Sequence, residues 1–403
     1  GELRMYSDEY GVWSLLQQSI VESAVHRYSG HPLRVFQPNG RQVLRPLKIN
    51  DSTVVGVVKS MHRLLAKPGF FDEAKVGVTF SDCFVTCTKD GIVRHAHSPD
   101  HRSRFRYSFP YTDKAPVRFL KIMDDYWGSQ ENCEEFKRLY CEFVGACLTG
   151  IAPQYQLCIV FLGEGGNGKS TMVVITVGLF PKEVVTNVSP QDFSKDSSRA
   201  MLSHSFLNVV GELPERKIDQ LSMAALKAMV SGDEITAKWL YKNPFSFKPK
   251  AGHLLIANRM PDLEDDSDGA FRRMAILKFV SKFEAPSAGD RKLHEVVLEE
   301  EKQQIVCHVL RHVPDLIARG HFVQPKESID EVTAWRTGQD EISLFLEDRT
   351  TPVPAVRGNG TDSDSLYQAY YAWAPLNGYK PRNKNQFLKS VDRKRKRFYD
   401  NGI

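Results

Sequence analysis

YQLCIVFLGEGGNGKST, residues 155–171, is the stretch on which the fold turns. Residues 155–162 form a continuous apolar run, the length and composition of a parallel strand buried on both faces. The run ends directly on GEGGNGKS, residues 163–170, which fits GxxxxGK[ST] in full. The following TMVVITVGLF is compatible with a helix, so the loop has the strand before it and the helix after it that a phosphate-binding loop requires. Gly163, Gly165, Gly166 and Gly168 let the backbone curl around phosphate oxygens without Cβ collisions, and the N–H groups then converge on the anion at a helix N-terminus. Asn167 helps to position the loop. Lys169 is expected to reach the β- and γ-phosphates, Ser170 to ligate Mg²⁺, and Thr171 to extend the site into the helix. A chance glycine-rich turn is the competing reading, and the strand–loop–helix setting disfavours it. The expectation is a nucleotide-binding α/β protein whose cofactors are ATP and Mg²⁺.

Working outward, two further apolar runs, Phe206 to Val210 and His253 to Ala257, read as neighbouring strands that lead into polar residues. Hydrolysis needs a carboxylate at such a strand end to hold the metal or orient water, and Glu212 is the candidate. Glu215 follows one turn later, and Gly211 stands where many such sites carry a first acid, so Ser170 and Glu212 are left as the metal ligands. A helix-capping role for Glu212 is the alternative. Asn258 ends LLIAN, where an amide would bond the γ-phosphate and the attacking water; a turn-forming Asn before MPDL is the plainer account. FRRM then supplies Arg272 and Arg273, either surface ion-pairing groups or arginines offered to a neighbour's nucleotide.

ITAKWLYKNPFSFKP, residues 235–249, contains two extended stretches flanking Lys242, Asn243 and Pro244, which predicts a β-hairpin presenting Tyr241 and Lys242. An ordinary surface hairpin and a DNA-contacting tip are both compatible with it. Residues 380–397 carry nine basic residues against one acid, and Arg393, Lys394 and Arg395 on this run are candidates for DNA contact or simply a solvated helix face.

The 403 residues suffice for two or three domains, and 41% hydrophobic with 26% charged residues excludes disordered and fibrous classes. No apolar run approaches a membrane span, which predicts an intracellular protein with no membrane partner. Seven cysteines without a CxxC pair fit reduced, buried thiols. Cys83 and Cys87 with His95, His97 and His101 invite a zinc reading, but the alternation of FSDCFVTCTKDGIV favours a strand and turn. A helix is predicted from Glu9 to about Tyr28, a second over Ser52 to Leu65, short strands through Lys75 to Arg106, helix from Pro116 to Cys147, and helical patterns from Asp290 to Arg319. TTPVPAVRGNGT at 350–361 reads as a linker before a small module with Leu366, Tyr367, Tyr370, Tyr371 and Trp373 as its core. The expected division is a mixed α/β accessory domain at 1–115, a helical connector at 116–150, an ATPase core at 151–285, a helical lid at 286–349 and a basic helical or winged-helix-like module at 350–403.

Taken together, GEGGNGKST, VVGEL, LKAMVSGDEITAKWLYKNPFSFKP, LLIAN with MPDL, and FRRM resemble the superfamily 3 helicase domain of phage and plasmid primases and of poxvirus-type primase-helicases. GIVRHAHSPDHRSRFRYSFPYTDKAPVRFLKIM through CEFVGACLTG is similar to the region that accompanies that domain, so the resemblance runs roughly from Tyr10 to Phe279. It implies an AAA+-like core with a parallel sheet, assembled as a homo-oligomer, usually a hexameric ring, with ATP between subunits. Glu212 would activate water, Asn258 would act as sensor, and Arg273, with Arg272, would reach the neighbour's nucleotide, Arg273 being the first choice. Lys238 stands where similar proteins often carry arginine, which implies a nucleotide or DNA contact. The hairpin would project into a central pore. The implied function is an ATP-dependent helicase of viral or mobile-element replication acting on single-stranded and forked DNA, 3′ to 5′, with a fused or separate primase-polymerase as partner. An ATP-dependent initiator or loader without processive unwinding is the alternative, and a small-molecule kinase a third reading that the hairpin sequence disfavours.

Overall fold

The computed structural model describes all residues except 1–2, 39, 68, 72, 215, 265–266, 282, 284–291, 339, 352–359, 380 and 401–403, and gives the backbone alone for 393–400. The N-terminal third begins with a hairpin of β1 (Arg4–Ser7) and β2 (Val12–Leu15), then α1 (Gln18–His26), a second hairpin of β3 (Pro32–Phe36) and β4 (Gln42–Pro46), and α2 (Asp51–Leu64). Asn50 caps α2, its Oδ1 accepting from Thr53 N at 2.9 Å. An antiparallel sheet follows, β5 (Gly77–Thr79), β6 (Phe84–Thr88) and β7 (Gly91–His95). The helix predicted over 9–28 starts only at Gln18. Trp13 is the reason: its indole N–H donates to Pro99 O at 3.0 Å and its ring packs edge-on against Phe70 and Phe71, contacts that hold its segment extended. Tertiary packing here overrides a helical periodicity that local sequence alone offers.

Helices α3 (Val117–Trp127) and α4 (Cys133–Thr149) lead into the central unit. This comprises β8 (Cys158–Leu162), α5 (Lys169–Leu179), β9 (Val185–Thr186), α6 (Asp196–Met201), β10 (Leu207–Val210), α7 (Gln220–Ser231), β11 (Ile235–Ala237), β12 (Phe245–Phe247), β13 (Gly252–Ala257), α8 (Asp268–Phe271) and β14 (Met274–Lys278). Five strands, in the order β14-β8-β13-β10-β9, form one sheet whose neighbours are all parallel. Alternation along the strands divides two cores between its faces. Ile159, Phe161, Leu254, Ile256, Ala275 and Leu277 pack with α3, α4 and α5, whereas Cys158, Val160, Leu255, Ala257 and Ile276 pack with Met223 and Leu226 of α7.

Downstream lie α9 (Leu293–Leu310), α10 (Val313–Arg319), α11 (Lys326–Gly338), α12 (Glu341–Arg349), α13 (Ser363–Leu376) and α14 (Lys384–Asp400). The first core runs without interruption from Val78 through α3, α4 and the sheet to α9, α10 and Phe322, so residues from four of the expected segments share it. At the C-terminus, Ile342, Phe345, Tyr370, Trp373, Phe387 and Val391 form a separate small core. Its described residues are helical, which fits the helical part of the expectation, and α12 joins it from the stretch expected as lid. Tyr371, expected in that core, is exposed. Most of the predicted linker lies outside the described residues. Among the described residues no helix is long and apolar enough to cross a membrane.

Candidate functional site

Residues Gly163 to Gly168 join the C-terminal end of β8 to the N-terminus of α5, as the sequence predicts. Gly168 has a φ of +87° and lies against the Tyr126 ring so closely that a Cβ would overlap it, so the position excludes side chains on two grounds. At Gly163 a Cβ would stand 2.6 Å from Phe279 O and overlap the Asn167 amide. Asn167 is buried, its Nδ2 donating to Phe279 O at 3.0 Å, which fastens the loop to the chain leaving β14. Phe283 N adds a bond to Gly166 O at 3.1 Å. Lys169 is buried and folds back over the loop: its Nζ donates to Glu164 O at 2.7 Å, to Asn167 Oδ1 at 3.0 Å and to Gly163 O. Burial lowers its pKa from the ordinary lysine value. Ser170 is exposed beside it, while Thr171 hydrogen-bonds Tyr126.

The sheet order brings the other predicted groups to the same end. Ala257 pairs with Leu162, and Gly163 N donates to Ala257 O at 3.3 Å, so Asn258 begins directly beside the glycine loop. Glu212 follows β10, one strand further, and Leu213 N donates to Ile256 O at 2.7 Å to keep that segment against β13. Two strand spacings, roughly 10 Å, separate the Glu212 strand from the loop strand, and both Glu212 and Asn258 are exposed. Gly211 supplies no carboxylate, and Glu215 lies outside the described residues. Loop, amide and acid thus share the crevice at the carboxyl ends of parallel strands, the usual ligand position in open α/β sheets.

Arg272 and Arg273 lie at the other end. They precede β14, whose first residue pairs with the first residue of β8, and Arg273 O accepts from Cys158 N at 2.7 Å. The rise of β8, roughly 16 Å, separates them from Gly163. Arg273 is tied to its own chain, with Nε donating to Ser231 Oγ at 3.0 Å and Nη1 to Gly269 O at 2.6 Å; burial and the neighbouring Arg272 lower its pKa. Arg272 is exposed and its side chain has no partner among the described residues.

The predicted hairpin forms at this same end, β11 pairing antiparallel with β12 after α7. Its turn is centred two residues earlier than Lys242–Pro244: Lys242 N donates to Trp239 O at 3.0 Å, and Tyr241 takes a φ of +60°. A bulky residue in the left-handed region is an outlier that costs of order 1–2 kcal/mol. Tyr241 is 92% and Leu240 71% exposed, and Lys238 and Lys242 flank them in solvent. Arg393, Lys394 and Arg395 lie on α14, and their side chains fall outside the described residues.

Tyr126 is the contact that sequence reading missed. Phe119, Ile122, Met123, Tyr126 and Trp127 form the buried stripe of α3, so its burial was legible from helical spacing, its partner Gly168 not. The zinc reading of the N-terminal cluster finds no support in the geometry. Cys83 and Cys87 are buried with thiols pushed up to about 12. His101 stacks on Phe84 at 4.0 Å, while His95 Nε2 meets Thr86 Oγ1 at 2.8 Å and His97 Nε2 meets Phe80 O at 3.0 Å, so two of the three imidazoles have a nitrogen committed elsewhere.

A profile described as a family of unknown function (DUF5906) matches residues 161–273, the stretch from the strand before the glycine loop to the arginine pair. Among curated proteins, a putative helicase of Acanthamoeba polyphaga mimivirus is 25% identical over 254 residues, 58% of this chain and 26% of that protein. A putative helicase of Frog virus 3 is 22% identical over 315 residues, covering 70% of this chain and 31% of that protein. A putative primase of African swine fever virus is 20% identical over 384 residues, 88% of this chain and 39% of that one. The chain is thus distantly homologous to viral proteins named as putative helicases and a putative primase, and spans between about a quarter and two fifths of their length. Among solved structures, the apo form of the NrS-1 C-terminal region aligns over 84% of this chain and 78% of its own at 11% identity, with a TM-score of 0.47.

Proposed function

We propose that this chain is the ATP-driven motor portion of a DNA helicase of viral replication, an AAA+-like ring that moves along single-stranded DNA. The observation that carries the reading is the split between the two ends of the sheet: a buried Lys169 in a glycine loop beside Asn258 and Glu212 at one end, an exposed Arg272 at the other. An arginine roughly 16 Å from its own loop does not reach a phosphate held there, which supports a role toward a phosphate held by another subunit. The distant viral relatives support the replication context.

In this reading the loop N–H groups and Lys169 bind the phosphates of ATP. Ser170 and Glu212 would hold Mg²⁺, which when bound neutralises phosphate charge and orients the transferring group. Glu212 accepts a proton from the attacking water, and Asn258 orients that water. Of the two arginines, Arg272 acts across the interface and Arg273, bonded to Ser231, orients the segment that carries it. The tip Lys238–Lys242 engages the strand, Lys242 with phosphate and Tyr241 by stacking, a contact worth about 1–3 kcal/mol per base. Hexameric assembly, 3′ to 5′ movement and a primase-polymerase partner belong to the same proposal. The test is a forked-duplex strand-displacement assay beside ATPase measurement. Wild type should do both, Glu212→Gln should hold ATP with hydrolysis reduced about 10²-fold or more, and Lys242→Ala should keep basal ATPase while losing displacement. ATP hydrolysis on single-stranded DNA without any strand displacement would leave the initiator or loader reading in its place.

A further inference from the structure

Away from the nucleotide site, α4 and the junction of α9 with α10 bring three metal-ligating side chains together. Cys141 is buried on α4, His308 lies in the last turn of α9, and His312 caps α10, four residues on. The two Nε2 atoms face each other at 3.4 Å with the rings inclined by 72°, and the ligating atoms of all three residues lie within 4.8 Å of one another.

The spacing discriminates between two accounts. A direct bond from an imidazole N–H has its usual length near 2.9–3.0 Å, so 3.4 Å is long for one. Two nitrogens each ~2.0–2.1 Å from a tetrahedral zinc ion stand about 3.4 Å apart, and a thiolate bound at ~2.3 Å stands about 3.6 Å from either. Arg138, which faces His312, also keeps a buried Nε with no hydrogen-bond partner among the described residues, one turn before Cys141.

We propose that Cys141 Sγ, His308 Nε2 and His312 Nε2 bind one borderline-soft divalent cation, Zn²⁺ by the chemistry of the donor set, with water completing a tetrahedron. Both imidazoles are half-buried, which leaves the ion a route in from solvent. Burial holds His308 at about 4 and lowers His312, so both are neutral, the form that donates a lone pair. Burial pushes the Cys141 thiol up, so ligation breaks its S–H bond, forms S–Zn and sends the proton to solvent. Arg138 and Arg311 face the cluster and oppose a cation; Asp315 facing His312 favours one, and the thiolate supplies the negative charge that tips the balance. Glu142, beside Cys141, is paired with Arg319. The ion would staple a helix that precedes the sheet to the helices that follow it.

The test uses the whole chain, stripped with a chelator, dialysed and titrated with Co²⁺ as the probe. About one equivalent should bind with a sulfur-to-cobalt charge-transfer band and the visible bands of a tetrahedral ion, and added Zn²⁺ should erase both. Cys141→Ser should abolish the charge-transfer band and weaken binding at least about tenfold. His312→Ala should weaken it similarly, while Cys158→Ser, a buried thiol of β8 in the core on the α7 face of the sheet, should leave spectrum and affinity unchanged. Wild-type protein that takes up Co²⁺ without the charge-transfer band, or takes up none, overturns the proposal even if the variants fail to fold. So does a band that survives Cys141→Ser.

Discussion

The two ends of the five-stranded sheet differ in how they hold their charged groups. At the carboxyl end Lys169 is buried and bonded to three oxygens of its own loop, and Asn167 and Tyr126 brace the glycines from either side. At the amino end Arg272 stands in solvent, and on the hairpin Lys238 and Lys242 flank an exposed apolar tip of Leu240 and Tyr241. One end is organised within a single chain; the other has positive charge and apolar surface that the described residues leave uncovered. On the proposed function, the chemistry of the first end would be completed by the second end of another copy.

The largest effect is expected from Arg272→Ala. If the two ends meet across an interface, ATP hydrolysis should fall about 10³-fold or more with ATP binding little changed, measured by turnover and by equilibrium binding. Lys169→Ala should cost about 10²–10³-fold and remove binding as well. Mixing the two inactive variants then decides the geometry. A trans arrangement restores a fraction of the activity, because one interface in the mixture pairs an intact Lys169 with an intact Arg272. A cis arrangement restores none. The smallest effect tests the hairpin: Tyr241→Gly should raise stability by about 0.5–1 kcal/mol in thermal melts by releasing the left-handed strain, while strand displacement falls. A loss of stability would mean that the ring packs onto its own chain.

The glycine loop with its strand and helix, and the strands at Leu207–Val210 and Gly252–Ala257, were legible because each couples an apolar run to a polar end, a pattern that local sequence carries. The order of the strands was not legible. Placing β13 between β8 and β10 sets Asn258 nearer the loop than Glu212, and only the long-range pairing of Ala257 with Leu162 specifies it. The same holds for the first helix, where Trp13 is claimed by Phe70 and Phe71, and for the hairpin turn, which closes on Trp239 and Lys242 despite the better turn formers Asn243 and Pro244. In the arginine pair the sequence reading favoured Arg273, but Arg273 is bonded to Ser231 and Gly269 and it is Arg272 that stands in solvent, a difference set by tertiary contacts that the local sequence does not carry.

Helix α5 has a practical consequence for anyone cutting this gene. It is apolar on nearly every side, with Ile175, Leu179 and Met172 fully buried, Tyr140 of α4 bonded to Thr176 at 2.7 Å, and Leu298 of α9 pressed against Gly178. A helix of that kind is stable only when wrapped. Expressed alone, residues 151–285 would present that bare apolar surface to water and aggregate, so a soluble minimal fragment must keep α4 at its front and α9 at its back. Limited proteolysis of the native chain should likewise trim the C-terminal helices before it releases any smaller piece containing the glycine loop.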